Sequence, residues 1–458
     1  MATRGIVGAA VYLPHRRLDR TTMAAISGGG GGRGTRTVAG YDEDTTTMGV
    51  EAARAALRPL ADVKAQALWF STVAPAYADK TNATTIHAAL RLPTSTGAFD
   101  VNGSVRSAIG ALRAALAAPG PQVVVSADLR TGLPGGADEA TFGDGAAALV
   151  IADADTAPVL AEVIGWGCAT EEFLDRWRTP GEDRSRTWEE RFGETRYLPL
   201  GVAAWEQALA AAGQRSDQID HIIITGTSTR ANAALAKKLA VGERRIDDLG
   251  ATVGNTGAAH PALLLTAALE AASPGQVIAL IVLADGADVM LVRTTDAIAA
   301  WAPSRPLAPQ VAAGGEIAYG TYLRWRGLLP VEPPRRPEPA RPSASAAGRS
   351  AEWKFGFVGS SSEGGPVHLP PQPGDEVAVP MADARGTIVT FTVDRLAYSP
   401  SPPVVFAVVD FDGGGRLPVE LTDVDIDQVR VGGRVEPTFR KLFTADGIHN
   451  YFWKARMT

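Results

Sequence analysis

His260 and Arg106 are the side chains whose local setting most directly offers chemistry. His260 stands five residues after Asn255 and just before Pro261, which opens a helical run. An imidazole there could act as a base, or could cap and pack the helix end. Arg106 begins an Ala-rich stretch after Asn102-Gly-Ser-Val105; its guanidinium could meet a carboxylate or phosphate, or close a structural ion pair. Asn255 sits in Gly254-Asn-Thr-Gly257, where Asn serves αL geometry or an Asx turn. Asp144, in Phe142-Gly-Asp-Gly-Ala146, reads as the residue that holds a Gly-rich turn. Asp42-Glu43-Asp44 reads as a helix-start acidic cluster, favoured by the helix dipole. The glycines at 28–32 make a flexible loop without the strand and helix spacing of a phosphate cradle. Cys168 is the one cysteine, so a disulfide framework within the chain and a zinc site of several thiolates are both excluded. Nothing beside Cys168 suggests activation, and it reads as a small core or interface residue.

These residues need a scaffold, and the chain spells out two. Short β-rich runs at 67–72, 122–126, 146–151, 221–225 and 277–283 alternate with helical candidates at 47–60, 81–92, 104–118, 199–212, 231–240 and 261–272. Several runs are nearly continuous in Val, Ile and Leu, as strands buried on both faces should be. The reading is α/β with layered helices and sheets, in two halves of similar pattern meeting near residue 160. Residues 301–326 are expected to form a helix at the domain edge. From about residue 328 prolines crowd the chain and a Ser/Ala/Gly stretch follows, the texture of a linker. After it, β-rich runs at 386–393, 404–410, 418–421 and 433–439 around Gly413-Gly-Gly415 suit a small all-β barrel such as an OB-fold. The domains are therefore read as 1–327, a linker at 328–352, and a barrel at 353–458.

With 45% hydrophobic and 21% charged residues among 458, the composition is that of a folded globular protein. The net charge of -6 and the lack of a large Lys/Arg cluster argue against nucleic acid as partner. The longest apolar stretch, 277–283, is followed by Asp285 and is too short to span a bilayer. No signal-peptide pattern opens the chain, so the cytoplasm is the expected location and no membrane partner is expected.

Tyr41-Asp-Glu-Asp-Thr-Thr-Thr-Met48 and Phe173-Leu-Asp-Arg-Trp-Arg-Thr-Pro180 resemble segments of hydroxymethylglutaryl-CoA synthases, the second being similar to their Asp-Phe-Trp-Arg-Pro signature. Phe142-Gly-Asp-Gly-Ala146 and Gly254-Asn-Thr-Gly-Ala-Ala259 resemble matching segments of ketoacyl synthase III enzymes, which share the thiolase fold. The resemblance implies thiolase-like, duplicated αβαβα layers. It also implies a homodimer, the head domains pairing into one continuous sheet. The tail resembles the OB-fold module of acyl-CoA-handling thiolases, whose preceding zinc ribbon would place its first cysteines near Ser361 and Gly364. Those cysteines are absent, so no metal is expected.

The same resemblance exposes the departures. The family's nucleophilic cysteine falls on Val105, its glutamate on Val73, and its histidine near Thr225 or Gly226. Asn255 keeps a counterpart and would donate to a thioester enolate oxygen. Ser104, beside the vacant cysteine position, could be a nucleophile or simply a helix N-cap. Tyr77 and Asp79 lie near the lost glutamate's place and could supply acid/base function. Arg106 could fill the emptied pocket and bind substrate. A valine cannot carry an acyl group, so the expected activity is aldol, retro-aldol or Claisen-like chemistry on an acyl-CoA or acyl-carrier-protein thioester. It would proceed without an acyl-cysteine and without a cofactor beyond that substrate. The rivals are an acyltransferase working directly or through Ser104, and a non-catalytic acyl-thioester-binding scaffold.

Overall fold

The computed structural model describes residues 3–182 and 184–458. Nine described strands form one sheet in the order His221–Gly226, Val277–Leu283, Ala287–Thr294, Ala161–Ala169, Arg4–Tyr12, Gly145–Asp153, Gln122–Asp128, Ala67–Ser71, Gly97–Asp100. The duplication is visible in the pairing. In each half the first strand pairs antiparallel with the last, the last antiparallel with the one before it, and that one parallel with an earlier strand. The halves meet between Asp153 and Ala161, where the sequence places the change. At the outer edge of the first half, Gly97–Asp100 pairs on one side with Ala67–Ser71, and Phe99 is 49% exposed.

Helices complete five layers. His260–Ala271 lies in the middle, touching Arg4–Tyr12 and Gly145–Asp153 of one half and His221–Gly226 and Val277–Leu283 of the other. Its run Leu263-Leu-Leu265 is buried, as a helix enclosed between the two halves of the sheet requires. Thr45–Leu57 covers the outer face of the first half, and Glu190–Ala212 with Thr229–Lys238 that of the second. The contact of Glu190–Ala212 with Ala161–Ala169 is backbone-close: a Cβ on Gly167 would lie 2.0 Å from the Ala204 carbonyl oxygen. That helix starts nine residues before Pro199 and contains it, longer than its proline suggested, because its packing on two strands outweighs one missing N–H.

The stretch after the sheet departs from expectation. Instead of one helix over 301–326, the chain forms Leu307–Ala312, a two-residue strand Gly315–Glu316 and Tyr319–Trp325. Pro303, Pro306 and the pair Gly314-Gly315 interrupt any continuous helix. Residues 328–343 have neither helix nor strand.

The tail is a closed barrel of Gly386–Asp394, Val404–Phe411, Arg416–Leu421, Ile448–Met457 and Arg434–Ala445. It is not a loose appendage. Phe439, Tyr451 and Trp453 of the barrel share one apolar core with Met48, Ala52 and Ala56 of the head helix Thr45–Leu57. Around that core lies a buried charge network. Lys454 pairs with Asp42 at 3.0 Å, Arg440 with Glu43 at 3.2 Å, and the Tyr451 hydroxyl donates to Asp44 at 2.7 Å. The helix-start reading holds for Asp44, which accepts from Thr47 N–H in a capping box. Asp42 and Glu43 are instead committed to the barrel, a pairing between residues some 400 positions apart.

Before the barrel, Val358–Ser361 and Val377–Pro380 form an antiparallel pair. Ser360 Oγ donates to Asp375 Oδ2 at 2.6 Å, His368 Nδ1 meets the same oxygen at 2.7 Å, and Gln372 N–H donates to Ser360 Oγ at 2.8 Å. No group of three or more His, Cys, Asp or Glu residues suited to a metal occurs among the described residues. One imidazole and one carboxylate fall short of the four ligands zinc takes, so these residues do not fit the metal. Purified protein should carry well under one zinc per chain by elemental analysis and keep its melting temperature in chelator. Stoichiometric zinc would mean that His368 and carboxylates had recruited it.

Candidate active site

The C-terminal ends of the parallel strands open into one cavity of about 610 Å³, the position where α/β sheets place ligands. Each strand delivers part of the wall. The loop after Ala67–Ser71 gives Val73 and Ala74, that after Gly97–Asp100 gives Asn102, Ser104 and Val105, and that after Gln122–Asp128 gives Arg130. From the second half come Thr227 and Asp285, with Tyr197 on the long outer helix. Residues 175–182 close the remaining side.

Val105, at the N-cap position of the helix Arg106–Ala117, is 6% exposed. The cavity thus meets the amide end of a twelve-residue helix, a place favourable to developing negative charge. Ser104 lines the cavity but is not a side-chain cap; its N–H donates to Ser107 Oγ at 3.3 Å. No described group accepts a hydrogen bond from Ser104 Oγ, so the base that nucleophilic activation needs is missing beside it.

Each polar atom of Asn255 has a hydrogen-bond partner. Its Nδ2 donates to the Gly226 carbonyl at 2.9 Å, its Oδ1 accepts from Gly257 N–H at 2.9 Å, and its backbone bonds to residues 141 and 143. It clamps loops together and is absent from the cavity wall. Gly257 is required there: at φ +59° a Cβ would stand 2.1 Å from Asp128 Oδ2. Asp128 in turn accepts from Thr72 Oγ1, Val73 N–H and Ala258 N–H at 2.7–2.9 Å, tying the two halves' loops together.

The other expected residues are dispersed. His260 is 2% exposed, and its Nδ1 faces Thr256 N–H at 3.3 Å. Burial lowers its pKa to about 4, which suits a packing imidazole better than a base at neutral pH. The Tyr77 hydroxyl accepts from the barrel's His449 N–H at 2.8 Å, its ring 5.0 Å from the imidazole; it braces the loop at residues 73–80 against the tail. Asp79 is exposed. Arg106 pairs with Asp288 at 2.7 Å and donates to the Asp285 carbonyl at 2.6 Å, the structural ion pair that was the alternative for it. Asp144, fully buried, accepts from Ala39 and Arg130 N–H groups and pairs with Arg36 and Arg326, so it holds its turn. Cys168 lies in a strand, 3.5 Å from an Arg113 nitrogen.

Sequence reasoning did not nominate the residues that do converge. Asp175, half-buried, lines the cavity beside Tyr197, whose phenol lowers its pKa as a hydrogen-bond donor. The Tyr197 hydroxyl also accepts from Asp285 N–H at 3.2 Å. Burial raises the Asp175 pKa, the Tyr197 bond opposes that, and Asp285 adds to the rise. Burial also pushes Tyr197 well above the usual phenol range, keeping it a donor. Arg176 and Arg178 flank Asp175; Arg176 forms a two-pronged pair with Asp138 at 2.9 and 2.6 Å, and Arg178 donates to the Val73 carbonyl. The signal for three of these was the segment 173–180 itself. Nothing local marks Tyr197 or Arg130.

Comparison with known proteins agrees with the fold. The model for the 3-oxoacyl-[acyl-carrier-protein] synthase III C-terminal domain matches residues 209–292, and that for the ChsH2 C-terminal OB-fold domain matches residues 378–440. A solved structure described as MvaS in complex with 3-hydroxy-3-methylglutaryl coenzyme A superposes with a TM-score of 0.61 at 23% identity, covering 75% of this chain and 95% of that one. A 3-oxoacyl-(acyl carrier protein) synthase III from Pseudomonas aeruginosa gives 0.53 at 22% identity, covering 64% and 98%. Hydroxymethylglutaryl-CoA synthase of Pyrococcus furiosus is 28% identical over 67% of this chain and 90% of its own length. That of Aeropyrum pernix is 30% identical over 349 residues, 72% of this chain and 96% of its own length. On that likeness over 349 residues, the chain belongs to the hydroxymethylglutaryl-CoA synthase family.

Proposed function

We propose that the cavity binds an acyl thioester, of CoA or a carrier protein, and makes or breaks a C–C bond beside its carbonyl without acylating the protein. The observation that carries this reading is Asp175, a carboxyl of raised pKa held by Tyr197 in the cavity where valines occupy the nucleophile and glutamate positions. In the cleavage direction, Asp175 takes the proton of a β-hydroxyl, the Cα–Cβ bond breaks, and a carbonyl product leaves. The electron pair passes into the thioester enolate, whose oxygen faces the amide end of the helix Arg106–Ala117. Asp175 then returns its proton to Cα. The family relationship supports thioester substrates, because the named relatives are thioester condensing enzymes.

The same reading takes the assembly to be a homodimer joined through the edge strand Gly97–Asp100, whose outer side and Phe99 are uncovered. No described helix is long and apolar enough to cross a membrane.

Incubation with acyl-CoA should leave the intact mass unchanged while a β-hydroxyacyl-CoA is cleaved. An adduct on Ser104 would instead establish acyl transfer. Tight thioester binding with no turnover of any β-hydroxyacyl or acyl substrate would leave a scaffold.

A further inference from the structure

The charges on the cavity wall are unevenly committed. Arg130 is ion-paired with Asp128 at 3.6 Å, and Arg176 gives both prongs to Asp138. Glu182 takes Arg186 at 2.6 Å. Arg178 is exposed and donates to the Val73 carbonyl. Asp285 differs from all of these. It lines the cavity and is exposed, and among the described residues its carboxylate has no ion pair and accepts no hydrogen bond.

The backbone that carries this carboxylate is pinned on both sides. The Asp285 N–H donates to the Tyr197 hydroxyl at 3.2 Å, and its carbonyl accepts from Arg106 at 2.6 Å. Arg106 is itself held by Asp288 at 2.7 Å. Asp285 adopts φ +47°, a left-handed conformation that favours glycine, with asparagine and aspartate next. A charged side chain kept in such a turn, on a cavity wall and without a partner in its own chain, is free to meet a ligand. Burial is the main reason the Asp175 carboxyl titrates high, and the charge of Asp285 adds to it, so the two carboxyls feel one another within the cavity.

We infer that Asp285 sets the charge of the acyl chain the cavity takes: a chain ending in an uncharged hydrogen-bond donor is admitted, and one ending in a carboxylate is turned away. A carboxylate only accepts hydrogen bonds, so a second carboxylate brought against Asp285 finds no donor and meets a like charge where water is partly displaced. A carboxamide of the same shape offers its N–H instead. Two of the three arginines that could neutralise an incoming acid already face carboxylates, and the third, Arg178, stands in solvent.

This inference rests on the thioester reading above, and calorimetry on the full chain separates the two. The ligands are glutaryl-CoA and its terminal amide, which match in length and shape and differ in charge. They are tested on the wild type, Asp285→Asn and Asp285→Gly, both substitutions suited to a left-handed position. The wild type should bind the amide about tenfold to a hundredfold more tightly than the acid. Asp285→Asn should bring the two affinities together, chiefly by strengthening the acid. Should Asp285→Asn fail to fold by circular dichroism, Asp285→Gly decides the same question. Equal binding of both ligands by the wild type, or tighter binding of the acid through Arg178, overturns the proposal. A preference that survives the substitutions overturns it too, and would belong to Asp175. If neither CoA ligand binds the wild type, the thioester reading falls, and free glutaramide and glutarate decide by saturation-transfer NMR. Glutaramide binding in excess of glutarate, with the difference lost in Asp285→Asn, upholds the selection. Equal binding, or none, overturns it along with the thioester reading.

Discussion

Glu51→Gln should destabilise the whole protein by about 3–5 kcal/mol, the usual cost of breaking a buried ion pair from one side. Glu51 is 3% exposed in the helix Thr45–Leu57. It pairs with Arg54 at 2.7 Å, with the barrel's Arg456 at 3.4 Å and with Arg305 at 3.7 Å, and accepts the barrel's Phe439 N–H at 3.1 Å. Burial by itself would raise its pKa; Arg54, Arg456, Arg440 and Arg305 together hold it down to about 2, from 4.5. Because the folded-state value is depressed, the contribution is fully present above pH about 4.5 and is lost as pH falls toward 2. The shift corresponds to something on the order of 3 kcal/mol. Wild type and Glu51→Gln should therefore differ most near neutrality and converge toward pH 2 in urea denaturation. Head and barrel should also unfold in one transition, since their core is shared. A loss below 1 kcal/mol at pH 7, or two separate transitions, would show that the barrel is only tethered.

Asp175→Asn should lower kcat by about 10²–10⁴, the usual share of general acid–base catalysis, while thioester binding stays nearly unchanged. Tyr197→Phe tests how that carboxyl is tuned. The phenol's hydrogen bond lowers the Asp175 pKa, so removing it should move the acid limb of kcat/KM to higher pH. A merely structural tyrosine would leave the limb where it was. Asn255→Ala serves as the contrast: its amide bridges Gly226 and Gly257, so it should cost about 1–3 kcal/mol of stability and spare Asp175's pH profile. Full activity in Asp175→Asn would remove the residue from the chemistry. A loss in Asn255→Ala of 10²-fold or more in kcat, with stability intact, would return the oxyanion role to Asn255.

Periodicity and composition alone determined the layered head, the small all-β barrel and the proline-rich join, because burial on two faces writes continuous apolar runs and burial on one face writes alternation. The motifs in their order along the chain determined the family, and with it the expectation that Val105 and Val73 stand in place of a nucleophile and a glutamate. Tertiary structure decided everything that depends on pairing across long separations. Asp42 and Glu43 look like helix-start residues until Arg440 and Lys454 arrive about four hundred residues later. Asn255 and Tyr77 look available until the loops opposite and the barrel engage them. Arg130 looks ordinary in Asp-Leu-Arg-Thr until folding buries it between Asp128 and the Phe142 ring. Whether a polar side chain is free to act depends on who else has claimed its hydrogen bonds. That competition is settled only when distant segments pack and water is removed.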